Sequence, residues 1–314
     1  MRVIRGLHNF REEFRGSVTT IGNFDGVHLG HQAILRQVCS KAKELNVPSM
    51  LICFEPQPRE FFSTYNAPAR LTRFREKVEL LRTQGVDLVL CLKFDEAIRS
   101  LSAEQFINVL VKNLKVGALF VGDDFKFGHD QSGGFEQLLV AGEKNHFDVT
   151  NMYTLSVEDD RISSTKIREY LAEGCFDDAE NMLGRPYYIS GKVVYGSQIG
   201  RTLDAATANI QLHRYRAPID GVYTVVLLIE DSEIQYQGVA NVGVRPTLNK
   251  DITTPILEVH LFDFSSDIYG KRVKVIFKQK IRSEKKFKDL DELKEAISVD
   301  ILDAKAYFAA KAIA

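Results

Sequence analysis

From Ser17 to about Leu183 short β-like runs alternate with amphipathic stretches, and past Gly184-Arg185-Pro186 that alternation stops. The runs of the first half are Ser17–Ile21, Ser49–Phe54, Val86–Leu92, Ala118–Gly122 and Asp148–Leu155. Between them Ile34, Leu35, Val38, Ala42 and Leu45 recur at helical spacing, as do Phe74, Val78, Leu80 and Leu81. Helices that each lay one face on a sheet between successive strands are βαβ units, so the first half is expected to be a doubly wound, Rossmann-like α/β domain. Ser102 and Gln105 form a capping box ahead of Phe106, Val109 and Leu110, which adds a helix after the third of these runs. In the second half the β-rich runs Tyr187–Tyr195, Gly221–Ile229, Ile234–Val242, Ile256–Phe262 and Arg272–Phe277 follow one another directly, the pattern of a small antiparallel barrel. Asp289 to Ala310, apolar at Leu290, Leu293, Ile297, Ile301, Ala304 and Phe308, adds a C-terminal helix able to cover that barrel. The 314 residues are therefore expected to form two domains, 1–183 and 184–314.

Where the first of these runs turns into a helix stands Gly22-Asn23-Phe24-Asp25-Gly26-Val27-His28-Leu29-Gly30-His31. Glycine lets the backbone approach an anion closely, and a helix N-terminus offers unpaired N–H groups and a positive dipole end. His28 and His31 add donors three residues apart, and a polyphosphate beside them would favour their protonated form. The segment reads as a phosphate-binding turn; a tight turn with a satisfied His pair is the plainer alternative. A zinc site fits less well, because no Glu follows the first His as in His-Glu-x-x-His and no third His or Cys stands at ligand spacing.

Composition narrows the partners. Lys and Arg total 41 against 42 Asp and Glu, so no global field attracts nucleic acid or an anionic membrane, and a polyanion must be held by local groups. No run approaches the roughly 18 apolar residues that span a bilayer, and the first ten residues lack a signal-peptide core; a soluble, cytoplasmic protein is expected, with an oligomer possible but not indicated. Cys39, Cys53, Cys91 and Cys175 are scattered without a Cys-x-x-Cys pair, so they are expected to be buried thiols rather than zinc ligands or disulfides.

The Gly22–His31 string resembles the signature loop of the nucleotidyltransferase superfamily, and the whole chain resembles the bacterial bifunctional riboflavin kinase and FMN adenylyltransferases, or FAD synthetases. The resemblance runs through Phe54-Glu55-Pro56-Gln57-Pro58-Arg59-Glu60-Phe61-Phe62, Val121 to Gly128 and Ile162-Ser163-Ser164-Thr165-Lys166-Ile167-Arg168. In the second half it covers Gly191-Lys192-Val193-Val194, Gly200-Arg201, Thr207-Ala208-Asn209, Gly243 to Thr247 and Leu257 to Phe264. It implies a nucleotidyltransferase domain in which FMN phosphate attacks the α-phosphate of ATP directly, giving FAD and pyrophosphate. Such a site works by positioning and charge stabilisation. By matching motif, His28 and His31 would hold the triphosphate, with Gly22, Asn23, Phe24, Asp25 and Gly30 lining the turn. Ser164, Thr165 and Arg168 would grip the leaving pyrophosphate, although Ser163-Ser164-Thr165 alone is more often a plain N-cap. Asp124, at a strand end, would hold Mg²⁺ or a ribose hydroxyl; a turn aspartate is the plainer alternative. Phe54, Pro56, Pro58 and Phe62 form a patch that would receive the flavin ring, with core packing nearly as compatible.

The second half resembles the riboflavin kinase barrel. That resemblance implies Mg²⁺-ATP held by Lys192, Gly200 and Arg201, with Thr207 and Asn209 as magnesium and phosphate ligands. Glu258 would be the base that takes the ribityl hydroxyl proton, and Arg282 and Glu284 would sit in the loop that closes over flavin. FMN and FAD would be products rather than redox cofactors. One departure stands out: Asp204-Ala205-Ala206 occupies the place of Gly-Phe-Pro ahead of Thr207. Aspartate tolerates positive φ less well than glycine, its charge repels phosphate, and losing proline loosens the unbound loop. A weakened or metal-sensitive kinase is expected. The alternative keeps adenylyl transfer and makes the second half a flavin-binding module.

Overall fold

The computed structural model describes residues 1–64, 66–152, 156–157, 160–195, 207–246 and 253–313. The chain gathers into two compact units, one of residues 1–68 with 72–164, the other of 69–71 with 165–314.

In the first unit β1 (Arg2–Arg5), β2 (Val18–Ile21), β3 (Ser49–Glu55), β4 (Leu88–Lys93), β5 (Ala118–Gly122) and β6 (Asp148–Met152) form a parallel sheet in the order β1-β4-β3-β2-β5-β6. All four residues of β2 are buried, as in a strand covered on both faces. Along β3 side chains alternate: Met50 and Ile52 join one apolar cluster, and Leu51 and Cys53 join another on the opposite face. Helix α1 (Leu29–Leu45) buries Leu35, Val38 and Ala42; Leu45, expected on that face, is exposed because the helix ends at once in left-handed Asn46. α2 (Pro58–Phe62), α3 (Phe74–Thr83) and α4 (Glu96–Arg99) precede α5 (Ala103–Asn108). The expected capping box is present there: Gln105 N–H donates to Ser102 Oγ at 3.1 Å, and Ser102 N–H to Gln105 Oε1 at 2.8 Å. A π-helical turn, Val109–Leu114, follows, and α6 (Phe135–Asn145) leads to β6.

Two differences from the sequence reading matter. β1 was not anticipated: of its four residues only Ile4 is buried, so an edge strand with a polar exterior carries little periodic signal. On α3 the helix turns Glu76 and Lys77 inward and leaves Val78 only half-buried.

Because β2 lies between β3 and β5, the chain leaves the sheet in opposite senses on its two sides. The loops that follow β2 and β5 therefore emerge side by side at the carboxyl ends of adjacent strands, the switch point where ligands bind in open α/β sheets.

A two-stranded pair, β7 (Ser156–Val157) and β8 (Asp160–Arg161), precedes α7 (Ser164–Glu173) and α8 (Phe176–Leu183). The second unit is a closed antiparallel barrel of β9 (Tyr188–Val194), β10 (Thr207–Gln211), β11 (Gly221–Ile229), β12 (Gln235–Pro246), β13 (Thr253–Leu261) and β14 (Arg272–Arg282). Its order is β10-β13-β12-β11-β14-β9, with β9 pairing back onto β10. Tyr223 and Phe277 fill the interior edge to face at 5.4 Å, and Phe176 of α8 stacks on Phe277 and meets Tyr223 edge to face. The Tyr223 hydroxyl donates to Asp220 O at 2.5 Å, and burial pushes its pKa well above the ordinary phenol value. Helix α9 (Leu290–Ile313) covers Val222 and Val239 with Ala304 and Ile301, as expected, while Leu290 is exposed. β10 was missed, its Thr-Ala-Asn having been read only as a ligand motif.

Candidate active site

The loop after β2 is strained. Phe24 (φ 48°), Gly26 (φ 84°) and Val27 (φ 42°) are all left-handed, a conformation that a β-branched residue such as Val27 rarely adopts. Val27 N–H closes the turn by donating to Phe24 O at 3.3 Å. What holds the loop is Asp25. Its buried carboxylate accepts from Thr72 N at 2.9 Å and Thr72 Oγ1 at 3.1 Å, and Gly26 N donates to Thr72 Oγ1 at 3.0 Å. Asp25 thus ties the loop to the residue that leads into α3, and its carboxylate is spent on that tie. Ser164, at the start of α7, donates to Asp25 O at 2.9 Å. Two motifs 139 residues apart are stitched together by one backbone carbonyl.

His28 is the N-cap of α1: its Nδ1 accepts from His31 N–H at 3.4 Å, which assigns the proton of the neutral ring to Nε2. The His28 and His31 rings stack with centroids 3.6 Å apart, and Phe24 stacks on His31 at 4.5 Å. Gly30 permits this, since a Cβ there would meet the His28 ring at 3.2 Å. Burial, then the neighbouring His28, then Lys77 hold His31 well below its ordinary 6.5. In the free protein His31 is therefore neutral at pH 7, unlike the protonated pair expected for a phosphate-bound site. Its Nδ1 is buried and without a partner among the described residues.

That shift has a stability consequence. His31 binds its proton more weakly folded than unfolded, so below about pH 6.5 the unfolded chain takes up more protons. Stability is complete above that value and falls as the pH drops toward the folded value. Thermal unfolding followed from pH 7.5 to 5 is expected to show a falling midpoint, and His31→Gln to flatten the fall; an unchanged slope in that variant would remove His31 as the cause.

Thr165 and Arg168 follow Ser164 on α7, in the second compact unit, where Arg168 Nε donates to Ala69 O at 2.6 Å. In the loop after β5, Phe125 N donates to Gly122 O at 3.1 Å, and Arg161 Nη2 reaches Asp123 Oδ1 at 3.5 Å and Asp124 Oδ2 at 3.4 Å. Asp124 is otherwise open to solvent. The aromatic patch is a surface feature. Phe62 is 62% exposed, and Phe54, Phe61 and Phe62 all meet Phe94 edge to face at 5.4 to 6.0 Å. Phe94, at its centre, was missed because it stands alone between β4 and α4 with no periodic partner. Pro58 starts α2, where Gln57 N donates to Glu60 Oε2 at 3.0 Å; Pro56 precedes it.

On the barrel, strand register places Val194, Asn209, Glu258, Asn241, Val222 and Arg282 opposite one another in a single row. The alternate residues Val193, Ile210, Leu257, Val259, Ala240 and Tyr223 are buried inside, so the row lies on the outer face. Asn209 and Glu258 are direct cross-strand neighbours, about 5 Å apart at Cβ by the usual pairing geometry. Thr207 faces His260 on the same side, and Lys192, opposite Gln211, stands two residues from Val194. Asn241 beside Glu258 carried no sequence signal; only the register reveals it. Gly200, Arg201 and the Asp204-Ala205-Ala206 departure lie outside the described residues.

Arg282 is engaged with α9. Its Nε and Nη2 reach the two carboxylate oxygens of buried Asp300 at 2.8 Å each, and its guanidinium lies over the Phe287 ring at 5.5 Å. The Glu284 carboxylate lies against Gly243 of β12 so closely that a Cβ there would overlap it. Gly243→Ala is expected to displace the Glu284 carboxylate from β12.

Comparison with known proteins agrees with both halves of this picture. Residues 10–166 match the FAD synthetase family and residues 183–308 the riboflavin kinase family. The chain is 49% identical to the bifunctional riboflavin kinase/FMN adenylyltransferase of Pseudomonas fluorescens, covering 99% of each. With the protein of the same description from Haemophilus influenzae it shares 49% identity over 98% of this chain and 99% of that one, and with that of Escherichia coli K12 46% over 98% of each. Among solved structures, one described as a macrolide-efflux protein from Streptococcus pneumoniae superposes with a TM-score of 0.78 at 29% identity, covering 96% of this chain and 97% of that one. Among the described residues no helix is long and apolar enough to cross a membrane. With family matches to both halves and near-complete coverage by its relatives, the chain belongs to the bifunctional riboflavin kinase/FMN adenylyltransferase family, which converts riboflavin to FMN and FMN to FAD.

Proposed function

We propose that adenylyl transfer takes place over the loops that follow β2 and β5, and riboflavin phosphorylation on the outer row of the barrel. The observation that carries the first assignment is the strained, left-handed turn at Phe24–Val27, held by Asp25 and capped by His28 at the start of α1. In this reading the His28 imidazole and the N-terminus of α1 meet the phosphates of ATP. FMN phosphate oxygen attacks the α-phosphorus, pyrophosphate leaves, and no protein nucleophile is needed. Gly22, Asn23 and Gly30 line the turn, Ser164, Thr165 and Arg168 serve the leaving group, and the exposed Phe62 patch with Phe54, Pro56 and Pro58 receives the flavin. Asp124, with Arg161 already against its carboxylate, suits a ribose hydroxyl better than a metal ion.

On the barrel Glu258 takes the proton of the ribityl 5′-hydroxyl as that oxygen attacks the γ-phosphorus of ATP, and ADP leaves. Thr207 and Asn209 offer the neutral oxygen donors that suit Mg²⁺, beside Glu258 in register. When bound, the ion would neutralise charge on the phosphates. Lys192, Gly200 and Arg201 serve ATP, while Arg282 and Glu284 shape the flavin loop. The catalytic halves divide near Gly184, and riboflavin, FMN and ATP are the partners of what we read as a cytoplasmic enzyme.

Chromatography of flavins tests the reading, with ATP and Mg²⁺ mixed with the protein and either riboflavin or FMN. FAD from both mixtures is expected. FAD from FMN alone would locate a silenced kinase at Asp204–Ala206, and none from either would overturn the assignment of both sites.

A further inference from the structure

Beneath the His28–His31 pair lies a residue that no motif singles out. Lys77 stands on α3 three residues after Phe74 and four before Leu81, the two side chains by which the helix joins the apolar cluster of Phe24, Leu35, Cys53, Val89 and Cys91. It points into that cluster and is fully buried, and among the described residues its Nζ has no hydrogen-bond partner. A buried ammonium without partner is among the most costly groups a core can hold, and a methionine or leucine of similar volume would fill the same space without that cost. The helix that carries it is fastened to the signature loop through Thr72 and Asp25, and Phe24 of the cluster stacks on His31.

We propose that Lys77 is a positioning residue of adenylyl transfer, a fixed positive charge walled off below the His28–His31 pair whose field reaches the triphosphate through that pair. A preorganised charge in a water-excluded site acts without reorganisation as negative charge develops on the phosphates. Its influence on His31 is consistent with this, since Lys77 is one of the groups that hold that imidazole neutral. The cation is supplied from beneath while the ring above keeps a lone pair and one N–H. The groups facing these two residues are His28 from the cap of α1 and Cys53 and Cys91 from β3 and β4. The two thiols in turn feel Glu55 and Arg5.

The proposal rests on placing adenylyl transfer at the His28–His31 loop. The experiment compares Lys77→Met with wild type for FAD formation from FMN across pH, with riboflavin phosphorylation by the same preparation as a control. The maximal adenylylation rate is expected to fall about ten- to a hundredfold, less than for loss of a donor that touches the phosphates. The acid limb of its pH profile is expected to move to higher pH, because His31 then takes up a proton more readily. Kinase turnover should hold, and the melting temperature should hold or rise, since methionine removes a buried ammonium. The position of the limb is read from relative rates, so it does not depend on how much of the variant folds. Lys77→Arg, which keeps the charge, should leave the limb where wild type has it. A Lys77→Met rate within threefold of wild type, or a lower rate with an unmoved limb, would overturn the role. A His28→Asn variant that makes FAD at the wild-type rate would instead overturn the site itself.

Discussion

Glu258→Gln is expected to lower FMN formation from riboflavin by about 10²- to 10⁴-fold, the usual contribution of a general base, and to leave FAD formation from supplied FMN unchanged. The variant keeps the size and hydrogen-bonding reach of the side chain but cannot accept a proton. On the barrel's outer row Glu258 has Asn209 on one side and Asn241 on the other, both neutral, so it is the only carboxylate of that six-residue row. Neutral amide neighbours orient a carboxylate without taking over its proton chemistry. The substitution leaves the buried alternates Leu257 and Val259 untouched, and the barrel should stay closed. Measuring both half-reactions on one preparation separates chemistry from folding, since adenylyl transfer reports the integrity of the other half. If FMN still forms within tenfold of the wild-type rate, the base is elsewhere, and Glu284 over Gly243 becomes the next candidate.

The fold was legible where one period dominated. The β-α alternation gave five of the six strands of the sheet, because a buried parallel strand is nearly all apolar and its helices show one clean face. β1 escaped because an edge strand with one buried residue resembles a polar tail. β10 escaped for a different reason: Thr207 and Asn209 are at once strand residues and ligand candidates, and polar side chains on an outer face blur the alternation that marks a strand. At the candidate site, the residues of each motif are legible in the sequence, and the residues that hold the motif are not. Thr72 fixes Asp25 from 47 positions away, Asn241 becomes a neighbour of Glu258 only through register, and Lys77 reads as a solvated charge until α3 is seen to turn it inward. Each depends on tertiary packing, which periodicity within one segment does not encode.

His28→Asn is expected to reduce FAD formation from FMN by about 10²- to 10³-fold, the effect of removing one donor aimed at developing phosphate charge, with riboflavin phosphorylation intact. Asparagine is chosen because His28 does two things. Its Nδ1 caps α1 by accepting from His31 N–H, and in the proposed reading its Nε2 is the donor to phosphate. Asparagine is among the best N-caps, so the helix start should survive, whereas alanine would add the loss of a cap, about 1 kcal/mol, to the loss of the donor. The stacked geometry argues that the effect reaches further than one hydrogen bond. His28 lies 3.6 Å from His31 and is the second-largest cause of its lowered pKa after burial, so removing the ring raises the pKa of its neighbour. The residual activity of His28→Asn should therefore lose rate at a higher pH on the acid side than wild type does. Rate loss together with that shift would identify the pair as one electrostatic unit. Rate loss without it would leave His28 as a simple phosphate donor, and undiminished FAD formation would move adenylyl transfer away from this loop.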